Sequence, residues 1–381
     1  MMKNQSKINM WPDFRFNLEE ICGAVGDYGT LIPIVLGVAI VSNVNVGYIL
    51  LFFSIWYVIT GIYYKMPIPV EPMKVIGGIA IAEGLSAGEI AASGIILGVL
   101  FLVLGFCKGM KFIQEKVPHS VVRGIQLGLA LLLIKTSINF IIGDYMLAII
   151  CIMIIVSFLI AAKFTNIPDV SVIIVLLIGV FVGFSRSGFP QISILPLPGI
   201  IIPTVQDFLK SGWLVTIPQA PLTITNAILA TSLLMRDLVN RDLDPDKLSK
   251  SIGLMNLTSV PFGGFPMCHG SGGLAAQYRF GARTGGSNII SGLILLPVAL
   301  FFAGPEFVAI IPFGVFGALL VFVAIELGKH GLKTDSYIVT GSIAILALVI
   351  NMIIAFIVGM ILAYVLTKIR KRPQASKNVT G

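Results

Sequence analysis

Apolar residues run along this chain in long blocks, separated by short breaks of polar residues, glycine and proline. Measured against the roughly 17–25 residues a helix needs to cross a bilayer, the blocks predict helices over 18–41, 44–63, 69–83, 91–110, 119–137, 144–162, 170–185, 218–236, 247–263, 268–280, 286–304, 309–327, 336–350 and 352–368. That makes fourteen segments, several of them short. The apolar run after residue 17 is a full-length span. It is too long for the h-region of a cleavable leader, which is about 7–15 residues, so the first span is expected to stay.

Two segments cannot be ordinary spans. Residues 265–285 carry repeated glycines, Pro266, His269, Arg279 and Arg283 between apolar flanks. Hydrocarbon offers no partner to an unpaired backbone group, so such a stretch is tolerated at membrane depth only where protein wraps it or a wet cavity borders it. The pattern predicts a short extended piece, 265–267, leading into a half-helix whose N-terminus, near His269 and Gly270, points into a site. Residues 66–74, with Pro67, Pro69, Pro72 and Lys74, echo it: another proline-rich extended piece before a short helix. Each is the third of seven segments in its half. Seven is odd, so the second half must be inserted upside down relative to the first, which makes an inverted repeat with two interrupted helices facing each other at mid-membrane.

The first helix of each half is also interrupted, by Gly23, Gly26, Asp27, Tyr28, Gly29 and Pro33 in one, and by Pro218, Gln219, Pro221, Thr223, Thr225 and Asn226 in the other. All four elements are expected to converge. The division that follows is 1–17 as an N-terminal arm, 18–185 as the first repeat, and 186–217 as an outer linker whose residues 205–213 could lie flat as an amphipathic helix. Residues 218–368 form the second, inverted repeat, and 369–381 a tail.

Composition agrees with the pattern. A chain of 381 residues that is 56% hydrophobic and 12% charged, with a mean hydropathy of +0.98, is an all-α polytopic membrane protein. The net charge of +8 would suggest nucleic acid in a soluble protein. Here it follows from topology: with the N-terminus in the cytoplasm, 22 of the 26 Lys and Arg residues fall on the cytoplasmic side, which supports that orientation, an even number of spans and a cell-membrane location with both termini inside. Among the 22 are Lys3, Lys7, Lys111, Lys116, Lys163, Arg370, Lys371, Arg372 and Lys377. Cys22, Cys107, Cys151 and Cys268 have no metal-type spacing and read as free thiols. No cofactor is implied.

Two helix N-termini aimed at one point present open N–H groups and about half a positive charge each, a preference for an anion. Gly270, Gly272 and Gly273 allow close backbone approach, Ser271, Thr223, Thr225, Asn226 and Gln219 can hydrogen-bond, and Lys74 adds a full charge. Asp27 and Glu71 oppose it. A carboxylate at that depth is costly and is often a proton carrier, and a dianion beside it favours its protonation, linking anion to proton movement. Structural alternatives stand beside each reading: Glu71 and Lys74, at i and i+3, can neutralise each other; His269 can bond a backbone carbonyl; Asp27 can accept N–H groups opened by Gly26 and Gly29. Arg279 and Arg283 are expected to snorkel to the interface. Gly77, Gly78, Gly94 and Gly98 are expected to be helix-packing positions.

Residues 26–33, 69–74, 217–226 and above all 267–283 resemble the molybdate-transporter family, a branch of the sulfate-permease superfamily, and the likeness runs from about residue 17 to residue 368. It implies two intertwined seven-helix inverted repeats, as in sulfate permeases and uracil permease, a core domain moving against a gate domain, and high-affinity uptake of molybdate. It also implies a substrate held between Glu71, Pro72 and Met73 on one side and His269, Gly270 and Ser271 on the other, with Asp27, Tyr28, Gln219, Thr223 and Asn226 as neighbours. Where many members have Gln in the Pro-Val-x-Pro motif, this chain has Glu71. About a dozen residues follow the last predicted helix, fitting the branch without a C-terminal regulatory domain.

The expected function is secondary active transport of a tetrahedral oxyanion, molybdate first, sulfate or tungstate second, with protons or another coupling ion. A proton-coupled nucleobase-type permease of the same fold is the rival within transport, and Tyr28 is its obvious stacking residue. A passive channel differs in coupling, and the buried acids favour a carrier. An enzyme is disfavoured, because the intramembrane polar residues supply no nucleophile, base and orienting group. A homodimer is common for such a fold, though no residue requires it.

Overall fold

The computed structural model describes residues 14–110, 118–164, 169–189, 192, 194–302 and 310–377. Lys3, Lys7, Lys111 and Lys116 lie outside the described residues, as do the side chains of Lys163, Arg370, Lys371, Arg372 and Lys377. The first half contains α1 (Leu18–Ala24), α2 (Tyr28–Ser42), α3 (Val46–Tyr64), β1 (Glu71–Pro72), α4 (Lys74–Glu83), α5 (Ala87–Phe106), α6 (His119–Gly143), α7 (Tyr145–Phe164) and α8 (Ser171–Ser187). The second contains α9 (Val205–Val239), α10 (Pro245–Ser259), β2 (Met267–Cys268), α11 (Ser271–Phe280), α12 (Gly285–Phe301), α13 (Phe313–Gly331), α14 (Tyr337–Val349) and α15 (Met352–Lys377). Among the described residues, α3, α5, α6, α9 and α13, and α1 with α2 taken as one run, are long and apolar enough to cross a bilayer. The pair α11 and α12, bent by 97°, adds a broken span, and four shorter apolar helices accompany them.

The halves are intertwined. α3 packs along α12, α5 along α10, and α6 along α13 and α14, so each principal seam joins one repeat to the other. No hydrophobic drive separates helix from lipid, and close packing of small residues does the joining. A methyl on Gly94 would come 2.6 Å from Val260, one on Gly98 2.9 Å from Leu257, and one on Gly78 2.9 Å from Leu129. These glycines serve packing. Outward-facing Ile149, Ile150, Met153, Leu177, Phe181, Ile354 and Ile361 stay exposed, as lipid contact requires.

The breaks have local causes. Prolines 67, 69, 72 and 266 cannot donate to a ladder, so the two extended pieces make one short antiparallel pair, with Glu71 opposite Cys268 and Pro72 opposite Met267. Two asparagines replace the missing strands. Asn256 on α10 donates to Met267 O at 2.8 Å and accepts from Met267 N at 3.0 Å; Asn288 on α12 donates to Ile68 O. Residues 205–213, which by sequence could lie flat as an amphipathic helix, begin the continuous run of α9, which widens into π-helical turns at Gly212–Thr216 and Thr223–Ala230. Pro218 and Pro221 lie in the stretch between these turns, and the N–H groups they lack interrupt the regular helical ladder.

Candidate functional site

α4 and α11 begin side by side because the strand pair fixes their starts: Met73 N donates to Pro266 O at 2.9 Å. Their first turns are treated differently. At α4, the N–H of Val75 is taken by Gln219 Oε1 at 2.8 Å, and Gln219 Nε2 donates to Thr223 Oγ1 at 2.8 Å. Gln219, Thr223, Pro72 and Met73 are all buried. At α11, the cap residue Gly270 is extended and supplies no side-chain bond. A side chain on Gly270 or on Gly273 would collide with the Glu71 carboxylate, and one on Gly273 would also meet Asp27 Oδ1 at 2.6 Å. The first turn of α11 therefore faces two carboxyl groups.

Each acid has its own anchors. Glu71 Oε2 accepts from Lys74 Nζ at 2.8 Å, while buried Glu71 Oε1 makes no well-aligned hydrogen bond among the described residues and lies against Asp27 and the N–H of Gly273. Asp27 sits in the break between α1 and α2; its Oδ2 accepts from Tyr57 Oη at 2.9 Å and its Oδ1 from Thr30 Oγ1 at 3.1 Å. Ser271 donates through Oγ to Asn226 Oδ1 at 2.7 Å, tying the first turn of α11 to the π-helical turn of α9.

Not every expected residue faces the same space. His269 is fully buried, with Nδ1 2.8 Å from Pro69 O and Nε2 2.7 Å from Ser251 Oγ, so both ring nitrogens are engaged by protein and the ring locks the extended piece onto α10. Tyr28 donates to Ser291 O at 2.9 Å and turns towards α12. Arg283 lies over the Tyr278 ring at 3.6 Å and donates to Tyr278 O and Ala282 O, closing the C-terminal end of α11. Tyr57 and Thr30, which orient Asp27, were missed by sequence reasoning; one hydroxyl in an apolar span carries no signal of what it points at.

A cavity of about 830 Å³ leads to this point. Asp27, Thr30, Lys74, Asn226, Ser271 and Gly272 line its inner part, and Arg279, Glu326, Lys329 and His330 line it nearer the surface. These last residues belong to the C-terminal ends of α11 and α13. Because α11 ends beside the first described residues, where Arg15 N donates to Thr284 Oγ1 at 3.0 Å, the cavity opens on the face where Arg15 lies.

The sequence matches a family described as "Molybdate transporter of MFS superfamily" over residues 19–133 and 211–327. The chain belongs to the molybdate-transporter family. Molybdate transporter 2 of Arabidopsis thaliana is 34% identical across 84% of this chain and 81% of its own length, and Molybdate transporter 1 of the same plant is 34% identical across 82% and 80%. The chain is thus a membrane transporter and not an enzyme.

Solved structures agree on the fold. The transmembrane domain of the cyanobacterial bicarbonate transporter BicA superposes with a TM-score of 0.65 at 16% identity, covering 90% of this chain and 96% of that one. The murine Slc26a9 anion transporter, in its inward-facing state, gives 0.70 at 15% identity, covering 94% and 70%. The family description names the MFS superfamily, yet the paired extended pieces before two half-helices and these superpositions place the fold with that of these anion transporters.

Proposed function

We propose that this transporter moves molybdate by alternating access around the first turn of α11, with tungstate and sulfate as weaker competitors. One observation carries the reading: an uncapped helix N-terminus and a lysine meet at the inner part of an 830 Å³ cavity that opens to one face. Open N–H groups and a positive charge suit a tetrahedral dianion. The relatives' printed names supply the choice of molybdate among such anions. Ser271 and Asn226 are the neutral contacts, Lys74 the charged one.

Asp27 and Glu71 are the proposed proton sites, since two buried carboxyl groups beside a dianion favour binding of at least one proton. With the N-terminal arm in the cytoplasm of a cell-membrane protein, the open cavity corresponds to an inward-facing state, and uptake requires the core helices to move against α6, α7, α8, α13, α14 and α15. The nucleobase-type rival loses its stacking residue, because Tyr28 is turned to Ser291. The test is uptake of radiolabelled molybdate into proteoliposomes with and without a pH gradient, acid on the side from which substrate enters. Gradient-driven uptake blocked by tungstate is expected. An absence of oxyanion uptake under any gradient would overturn the reading.

A further inference from the structure

The anion seat at α11 already holds a negative group of the protein's own. Glu71 reaches it from β1, its side chain is 1% exposed, and its carboxylate fills the space in front of Gly270 and Gly273. One oxygen is held by Lys74; the other makes no well-aligned hydrogen bond among the described residues and lies against Asp27 and the N–H of Gly273. A carboxylate presents two negative oxygens on one centre, which is part of what a tetrahedral oxyanion presents to the same N–H groups. A buried carboxylate oxygen that lacks a well-aligned donor and faces a second carboxyl group is costly. Its position here is explained if the group stands where another anion belongs.

We propose that Glu71 is a tethered counter-anion: in the empty transporter its carboxylate occupies the oxyanion's place at the first turn of α11, and substrate binds by displacing it and taking over Lys74. This rests on the oxyanion reading above. The neighbours leave Lys74 as the charged partner that changes hands. Asp27, from the break before α2, is held by Tyr57 of α3 and Thr30 of α2 and faces the Glu71 carboxyl without a charge to exchange with it. His269, beside β2, is committed to Pro69 and Ser251, and Cys268 is a buried thiol. Without Glu71, the Lys74 ammonium would lose its partner in the empty site, a costly state for a buried charge. With it, the site has two alternative occupants of the same sign. The measured affinity is then the intrinsic one reduced by the fraction of time the seat is free.

The test is tungstate binding to detergent-purified protein by isothermal titration calorimetry, comparing wild type with Glu71→Gln, Glu71→Asp and Asp27→Asn. Gln keeps the shape of Glu71 and removes its charge, so Glu71→Gln is expected to bind tungstate about tenfold tighter or more, as for a seat free a tenth of the time in wild type. Asp27→Asn removes a nearby like charge without emptying the seat, and a much smaller gain is expected. Wild type that binds tungstate while Glu71→Gln binds it no better overturns the proposal. Equal gains in Glu71→Gln and Asp27→Asn overturn it too, because general repulsion would then suffice. If Glu71→Gln does not fold, Glu71→Asp serves: its carboxylate, one methylene shorter, draws back from Gly270 and should tighten binding, and unchanged or weaker binding counts against displacement. Should no protein bind tungstate, the oxyanion reading itself has failed, and the proposal with it.

Discussion

α4 and α11 are built to one plan and finished in two ways. Both follow a proline-containing extended piece, both are 10 residues long, and the two pieces are paired to each other. At α4, a side-chain amide from α9 takes the N–H of Val75, so that first-turn donor is satisfied without a ligand. At α11, a glycine cap leaves the N-terminus open to carboxyl groups, a lysine and the cavity. The repeat supplies two equivalent helix ends. One has become structure and the other has stayed available for charge exchange.

The largest effect should come from Lys74→Met. It leaves Glu71 buried without its partner, at a cost of about 3–5 kcal/mol, and removes the charge that receives substrate. A lower unfolding temperature together with loss of proteoliposome uptake is expected, and near-normal uptake would remove Lys74 from the site. Gln219→Leu strikes the other helix. Freeing the Val75 N–H should cost about 1–3 kcal/mol of stability, with little change in the KM for uptake. A large KM increase in a stable protein would break the contrast by making α4 a second seat.

Smaller effects sharpen the same contrast. Ser271→Ala removes the donor that holds Asn226 and should raise the KM about five- to tenfold, the equivalent of one hydrogen bond of roughly 1 kcal/mol. Tyr28→Phe loses the bond to Ser291, with an expected cost of about 0.5–1.5 kcal/mol in stability and an unchanged KM. A KM shift in Tyr28→Phe would return that ring to the substrate.

Much of this architecture was legible in the chain, for identifiable reasons. Prolines 69, 72 and 266 and the glycines after His269 cannot sit in lipid-facing helix, so the broken segments and their correspondence between the two halves followed from backbone chemistry. Glycines in seams announce packing. What escaped was the direction of single polar side chains. Gln219 and His269 read as substrate neighbours because they lie in the interrupted stretches; in three dimensions Gln219 caps α4 and His269 bolts Pro69 to Ser251. Asn256 and Asn288 carried no signal, because an amide that substitutes for a strand looks in sequence like any polar residue in a span. The π-helical turns of α9 also needed coordinates: Pro218 and Pro221 predict an interruption, but not that the helix would widen and continue.

The most direct measurement is a crystal of the protein grown with tungstate, with tungsten located by its anomalous scattering. The account predicts one strong peak at the first turn of α11, beside Lys74 and Ser271, with the Glu71 carboxylate moved from its place in front of Gly270. A peak instead at the α4 end beside Gln219, or only among Arg279, Lys329 and His330 near the surface, would contradict it.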